Sequence, residues 1–386
     1  MLRYLNAGES HGKGLMAVLE GVPAGLPLTA ECIDVDLIRR QGGYGRGGRM
    51  RIEKDRIEFI CGVRKGVTLG NPLGLMVWNK DWENWKDIMS SEPGPPSAER
   101  VVTRPRPGHA DLVGAIKYGH RDIRNVLEKA SARETAIRVA IGGVAKALLA
   151  QFNMQVVSYT VDIGGVSVPS PDNPLEAYQL AEESDVRCHD PEIAAKMVEL
   201  IRSAKRKGDS LGGVFEVVVT NPPIGLGTYA QWDRRLTARL AMAAMSIQAM
   251  KGVEIGMGFE SARRFGSQVH DDIYFDKERN EFVRKTNNAG GLEGGITNGQ
   301  PIVLRVAMKP IATLYTPKDS VDIATKEPFE ATVERSDICT VPAAGVVGEA
   351  VIAFEMANAM IEKFGGDTVE EMKRNFEAYQ QYVRTF

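Results

Sequence analysis

The stretch VLEGVPAGLPL (Val18–Leu28) carries an apolar run into a Pro-Ala-Gly-Leu turn, and VVTNPPIGLGT (Val218–Thr228) repeats the pattern in the second half of the chain. Pro23–Leu26 and Pro223–Leu226 share P-x-G-L, and residues at helical spacing follow each. Working outward, Gly66-Val-Thr-Leu-Gly-Asn-Pro-Leu73 matches Gly295-Ile-Thr-Asn-Gly-Gln-Pro-Ile302, and both lead into apolar strand-like runs, LGLMVWN and IVLRVAM. Later still each half has a long apolar helix, Ser131–Phe152 and Ala343–Phe364. Gly365-Gly366 stops the second, because glycine takes the left-handed conformation that ends a helix. Turns rich in Gly and Pro resemble one another by chance, which explains any one match but not a shared order. The order predicts an internal duplication, residues 8–152 against 208–364, with an unpaired insertion at 153–207.

The coarse elements fit one mixed domain over residues 1–386. Strands are predicted at Leu15–Glu20, Ile57–Val63, Leu73–Asn79, Val156–Ile163, Val214–Thr220 and Ile302–Met308. Helices are predicted at Asp34–Arg40, Asn125–Phe152, Pro191–Lys207, Trp232–Lys251 and Val346–Phe364, with Asp190-Pro191 supplying an N-cap and a first-turn proline. No regular βαβ rhythm appears, so the class is α+β with antiparallel sheets. SSEPGPPSAER (Ser90–Arg100) is too rich in Pro and Ser to pack and marks a mobile loop over residues 86–103. Apolar runs such as TAIRVAIGGVAKALLA are broken by Arg or Lys before membrane-spanning length, and no apolar leader precedes a cleavage site. The expectation is a cytoplasmic protein with no membrane partner. Cys32, Cys61, Cys188 and Cys339 lie far apart with no metal-ligand spacing, so buried free thiols are expected, with no metal.

A formal net charge of −2 gives no bulk attraction to nucleic acid, so an anion site must come from local clustering. RRQGGYGRGGRMR (Arg39–Arg51) is such a cluster. Gly43-x-Gly45-x-x-Gly48 matches the dinucleotide fingerprint, but a helical pattern precedes it and an alternating one, MRIEKDRIEFICGV, follows, which is the wrong context. An RGG-type RNA-binding segment would sit in a long repetitive tract, and this one occurs once. Glycines around planar guanidiniums suit close approach to a multiply anionic small molecule, since Arg grips carboxylate and phosphate through two parallel bonds. RPRPGHADL (Arg104–Leu112) places His109 beside prolines, a glycine and two arginines, and GESHGKGL (Gly8–Leu15) sets Ser10 and His11 between glycines. A Ser-His nucleophilic pair is weak, because adjacent residues in extended chain point apart and no G-x-S-x-G elbow is present. The histidines read better as groups that exchange protons near neutral pH. His120, His189 and His270 lack such settings and read as surface or structural residues.

GESHG, QGGYGRGGRM, RPGHADL, ASARET, GGITNGQPI, KPIATL and ERSDICTVPAAGVVGEA, in this order from residue 8 to residue 350, resemble the chorismate synthase family of the shikimate pathway. The resemblance implies conversion of 5-enolpyruvylshikimate 3-phosphate to chorismate and phosphate by a 1,4-anti elimination that needs reduced FMN without net redox change. It implies a β-α-β sandwich with two antiparallel sheets and a homotetramer. For substrate it points to Ser10, Arg40, Arg46, Arg49, Arg104, Arg106, Arg133 and Arg335, and for flavin to Ser131, Ala132, Arg133, Gln248, Ala249, Gly294, Lys309, Pro310, Ile311, Ala312, Thr313 and Arg335. His11 would protonate the flavin, His109 would assist departure of phosphate, and Asp337 would help take the ring proton. Some members reduce FMN with NADPH and others rely on an external flavin reductase. The rival classes are a non-catalytic phosphate-ligand or RNA-binding protein, which needs no pair of Gly-flanked histidines, and a flavin oxidoreductase, which would turn over a nicotinamide.

Overall fold

A computed structural model describes residues 1–47, 53–94, 100–334 and 336–386. In chain order its elements are β1 (Arg3–Ala7), β2 (Gly14–Glu20), α1 (Ala30–Gln41), β3 (Glu58–Cys61), β4 (Val63–Arg64), β5 (Val67–Thr68), β6 (Leu73–Trp78), α2 (Asp111–Tyr118), α3 (Arg124–Ala130) and α4 (Thr135–Ala150). There follow β7 (Gln155–Ile163), β8 (Val166–Ser167), α5 (Pro174–Glu182), α6 (Pro191–Arg206), β9 (Gly213–Thr220), α7 (Leu236–Met245), β10 (Met250–Ile255), β11 (Ile273–Asp276) and β12 (Glu281–Arg284). The chain closes with β13 (Leu292–Glu293), β14 (Ile296–Thr297), β15 (Ile302–Met308), β16 (Asp319–Val321), β17 (Pro328–Glu330), α8 (Val341–Phe364) and α9 (Val369–Thr385).

Helices and strands are mixed and the sheets are antiparallel, in keeping with the expected α+β class. One sheet runs β1-β2-β6-β3 and the larger one β10-β15-β9-β7-β8. β2 shows why: Leu15, Ala17 and Leu19 are buried while Met16, Val18 and Glu20 are not, the period-2 signature of a strand with one face on the core. Helix α4 lies on β2 and β6, α8 lies on β7 and β9, and the two helices pack on each other. Gly142 permits that approach, for a Cβ there would stand 2.3 Å from Ala350 Cβ and 2.4 Å from its Cα. Gly142→Ala must push the helices apart, and overpacking of this kind costs about 1–3 kcal/mol. Urea unfolding should show a lower midpoint at unchanged slope; an unmoved midpoint would mean the helices separate freely. α8 is apolar and long enough to cross a bilayer, yet 89% of its apolar window is buried within the fold.

The paired sequence motifs make the same bonds. Thr68 Oγ1 donates to Pro23 O (2.6 Å) and accepts the Leu26 N–H (3.0 Å). Thr297 Oγ1 donates to Pro223 O (2.6 Å) and accepts the Leu226 N–H (2.8 Å).

Four expectations need correction. The single helix over Asn125–Phe152 is two, because Ser131 leaves the helical region at ψ 140° and its hydroxyl accepts the Arg133 N–H (3.2 Å), opening a 3-10 turn at Ala132–Glu134. The helix over Trp232–Lys251 is a 3-10 turn, then α7, then a reversal at Ala249 (φ 69°) into β10. The strand over Ile57–Val63 is interrupted, with a register shift between Phe59 and Cys61 and a new hairpin after Gly62. Of the thiols, Cys188 and Cys339 are buried, but Cys32 and Cys61 are exposed. The mobile loop expected at 86–103 falls partly on 95–99, which lie outside the described residues, as do Arg49 and Arg335.

Candidate active site

His11 sits in the loop between β1 and β2, and Glu128 of α3 holds it twice. The His11 backbone N–H donates to Glu128 Oε2 (2.8 Å), and the ring Nδ1 lies 2.9 and 3.0 Å from the two carboxylate oxygens. The imidazole stacks on Trp85, centroids 3.8 Å apart. Arg124 Nη1 donates to the same carboxylate (3.1 Å). Burial alone would raise Glu128, but the bonds and charge of His11, with Arg124, outweigh it and hold the carboxyl below the ordinary glutamate range. Ser10 is buried and its N–H donates to Glu128 O (2.9 Å).

The break at Ser131 turns Ala132 and Arg133 toward the last turn of α1. Ala132 O accepts Arg40 Nη2 (3.0 Å), and Arg40 Nε donates to Thr135 Oγ1 (2.9 Å). Arg133 donates to Asp55 (2.6 Å) and to Asn79 Oδ1 (2.9 Å), while Asn79 Nδ2 donates to Gly12 O (2.7 Å), which ties the arginines to the His11 loop. Among the described residues, Arg40 Nη1 and Arg133 Nη2 are buried without a hydrogen-bond partner, with carboxylates of Asp55 and Glu53 3.6 Å away. Burial and the neighbouring Arg133 guanidinium pull Arg40 below the ordinary arginine range. Further along, Asp337 accepts the Gly47 N–H (2.5 Å) and pairs with Arg46 (3.4 Å).

His109 has its own carboxylate. Its Nδ1 lies 2.5 Å from Asp111 Oδ1, and Arg106 donates to both Asp111 oxygens (2.8 and 3.0 Å) and to Thr313 Oγ1 (2.9 Å). Burial would raise Asp111; bonds from His109 and Arg106 reverse this and hold it far below the usual carboxylate range. Lys309 Nζ donates to Gly108 O, and burial with nearby Lys251 lowers its ammonium below the ordinary lysine range.

Bonds lead from the His109 side toward Arg133 through Lys309 and the Gln248–Ala249 turn. The Lys309 N–H donates to Ala249 O (3.0 Å), and Gln248 Nε2 donates to Glu134 Oε2 (3.0 Å), next to Arg133. Gln248 Oε1 is buried without a hydrogen-bond partner among the described residues. Ile311 O accepts Ser210 Oγ (2.7 Å), and Pro310 and Ala312 continue the same segment. Two residues stand apart. Arg104 lies 3.4 Å over the Phe329 ring, and Gly294 turns the β13-β14 hairpin near the start of β15 whereas Lys309 follows its end, about 20 Å away at strand rise. A cleft of about 480 Å³ opens elsewhere, at Ser261, His270, Asp271 and Glu293. Asp271 is already bonded there to Thr286, Asn288 and Ala289, so that cleft offers less chemistry than the histidine–arginine network. Sequence reading missed Glu128, Asp55, Asn79 and Trp85, which carry no local signal; Asp111 stands two residues after His109, where the motif displayed it.

The family model for chorismate synthase matches residues 2–361. The chain is 59% identical to the chorismate synthase of Geobacter metallireducens and 57% identical to that of Geobacter sulfurreducens, in both cases over the full length of each chain. A crystal structure of chorismate synthase superposes with a TM-score of 0.81 at 46% identity, covering 100% of this chain and 99% of that one.

Proposed function

The chain belongs to the chorismate synthase family, and from that premise we propose that it eliminates phosphate from 5-enolpyruvylshikimate 3-phosphate in the 1,4-anti sense to give chorismate, with reduced FMN bound and no net redox change. It is thus a carbon–oxygen lyase acting on phosphates, in aromatic biosynthesis. The observation that carries the reading is the presence of two histidine–carboxylate pairs, His11–Glu128 and His109–Asp111, in a chain that also buries the neighbouring guanidiniums of Arg40 and Arg133. The substrate bears a phosphate and two carboxylates, which the unsatisfied guanidinium nitrogens of Arg40 and Arg133 suit. Arg46, Arg106 and Ser10 complete that side, with Arg49 and Arg335 lying outside the described residues.

The donor set fits FMN. Gln248 Oε1 is a buried acceptor for a ring N–H, and Lys309 offers a cation for the flavin phosphate. Ser131, Ala132, Arg133, Ala249 and residues 310–313 would line the rest. When bound, the reduced flavin lends electron density that makes an unactivated C–H bond labile. The chain's own groups manage protons. His109, held at Nδ1 by Asp111, protonates the departing phosphate through Nε2, phosphate being a poor leaving group as a trianion, and Asp337 helps take the proton the ring loses. His11, with Nδ1 on Glu128, serves the flavin side through Nε2.

The same reading makes residues 1–386 one internally duplicated β-α-β sandwich. The orders β1-β2-β6-β3 and β7-β9-β15-β10 correspond, α4 corresponds to α8, and Thr68 and Thr297 make equivalent bonds. With β7 standing as the counterpart of β1, the unpaired insertion runs from β8 through α6. A homotetramer is supported by the exposed Leu5, Met16, Val18, Ile60 and Trp78 on the uncovered face of the first sheet. We place the protein in the cytoplasm, its flavin reduced by NADPH directly or through a separate reductase.

Anaerobic incubation with 5-enolpyruvylshikimate 3-phosphate and dithionite-reduced FMN, followed by chorismate absorbance, tests the function. No chorismate from folded protein would sink it. Arg46→Ala should raise the substrate dissociation constant by roughly tenfold to over a hundredfold, because a hydrogen bond to a charged partner contributes about 1.5–3 kcal/mol. FMN affinity should change much less; equal losses for both ligands would make the loop a mere support.

A further inference from the structure

We propose that Glu128 and Asp111 are positioning residues, each fixing one of the two histidines with a proton on Nδ1 so that Nε2 is the nitrogen that exchanges protons. The proposal rests on the roles given above to His11 and His109. Both carboxylates are buried, 2% and 0% exposed, and each also accepts from an arginine, Arg124 at 3.1 Å and Arg106 at 2.8 and 3.0 Å. An ionised carboxylate can only accept, so a ring nitrogen 2.9 Å from it must donate. At His11 the carboxylate also accepts the backbone N–H of the same residue (2.8 Å), which fixes the ring to its own main chain. Stacking on Trp85 at 3.8 Å removes the remaining rotation.

At His109 the choice of tautomer is sharper. Arg106 Nη2 lies 3.1 Å from Nδ1 and 3.5 Å from Nε2, so an unprotonated Nδ1 could accept the closer contact from it. That arrangement would set the Nδ1 lone pair against Asp111 Oδ1 at 2.5 Å. A proton on Nδ1 removes the clash, and the guanidinium keeps Asp111 and Thr313 as its acceptors. The two histidines come from different loops, and their carboxylates from α3 and α2, yet the arginine–carboxylate–histidine order is the same. In each case the carboxylate holds Nδ1, leaving Nε2 as the nitrogen that exchanges protons; at His109 that Nε2 meets the long contact from Arg106 Nη2 at 3.5 Å.

The test uses protein labelled with ¹⁵N-histidine. The chain has only 5 histidines, so His11→Ala and His109→Ala assign the two signals. The native rings should show a protonated Nδ1 and an exchanging Nε2. Glu128→Gln and Asp111→Asn keep an oxygen for Arg124 and Arg106, so the fold should survive, as circular dichroism would show. Each should move its own histidine's signals toward the other tautomer and lower kcat about 10- to 100-fold with KM nearly unchanged, the effect of misplacing a reacting group. Glu128→Gln should have no further effect on turnover in the His11→Ala background. Unmoved ring signals, or an equal loss in that background, would overturn the proposal. If His11→Ala and His109→Ala keep normal turnover while Glu128→Gln and Asp111→Asn still shift the rings, the positioning stands and the catalytic reading of the histidines fails.

Discussion

His109→Ala and Asp337→Asn are each expected to lower turnover by about 10²–10⁴ at saturating substrate, the range a positioned acid or base contributes. Neither change should unfold the protein. Without the His109 ring, Arg106 still bonds Asp111 and Thr313, so the loop before α2 keeps its anchor. Asparagine at 337 keeps an oxygen for the Gly47 N–H and loses the charge that Arg46 meets at 3.4 Å. Substrate affinity should change little in His109→Ala, because arginines hold most of the substrate's charge. His11→Ala should differ in kind, changing the protonation state of bound reduced flavin, which its absorption spectrum reports. Near-normal turnover in all three variants would make these residues structural and leave the elimination to the flavin and the arginines.

The parts of this architecture that strands declare by alternation were legible in the sequence. β15 is legible to its observed ends because the apolar run IVLRVAM follows a Gly-Gln-Pro turn, and the structure buries its Ile302, Leu304, Val306 and Met308 face. α6 is legible because Asp190-Pro191 reads as an N-cap followed by a first-turn proline, and Asp190 does accept two first-turn N–H groups. The breaks were harder. Ala, Arg and Glu around Ser131 are good helix formers, and the only cue was Ser131-x-x-Glu134, the spacing of a capping box. Ala249 gives no cue at all, since its φ of 69° is imposed by the turn into β10 and the bond from Lys309. Along residues 53–57 the alternation was real, but the inward positions are Glu53 and Asp55. Sequence alone cannot distinguish a carboxylate facing buried arginines from one facing water. For the same reason the histidines and arginines were found and most of the acids that hold them were not.

Glu349 is the buried acid whose loss should matter most for stability. It is 0% exposed on α8 and accepts from Arg39 (2.8 Å to each oxygen), Lys146 (2.5 Å), Arg187 (3.2 Å) and Ser158 (2.6 Å). These partners come from α1, α4, β7 and the segment after α5, so one carboxylate joins both sheets' helices to the insertion. Glu349→Ala leaves interior cations short of a counter-charge, and breaking a buried pair in this way costs about 3–5 kcal/mol. Arg39 would keep Asp36 and Glu182, but its neighbour Arg40 would lose a firm last turn of α1, so KM for substrate should rise as well. Burial would raise Glu349, but Lys146, Arg39 and Arg187 override it and hold the carboxyl far below the ordinary glutamate range. A carboxyl depressed by folding stabilises fully above the unfolded value, and the contribution is lost as pH falls below it. Below the unfolded value this one group should therefore subtract about 1.4 kcal/mol per pH unit. Urea unfolding at neutral pH and at about pH 3.5 should show Glu349→Gln losing less stability on acidification than the native protein. Equal losses would mean that Glu349 carries no charge in the folded state, and that the three cations around it are balanced by Asp36 and Glu182 alone.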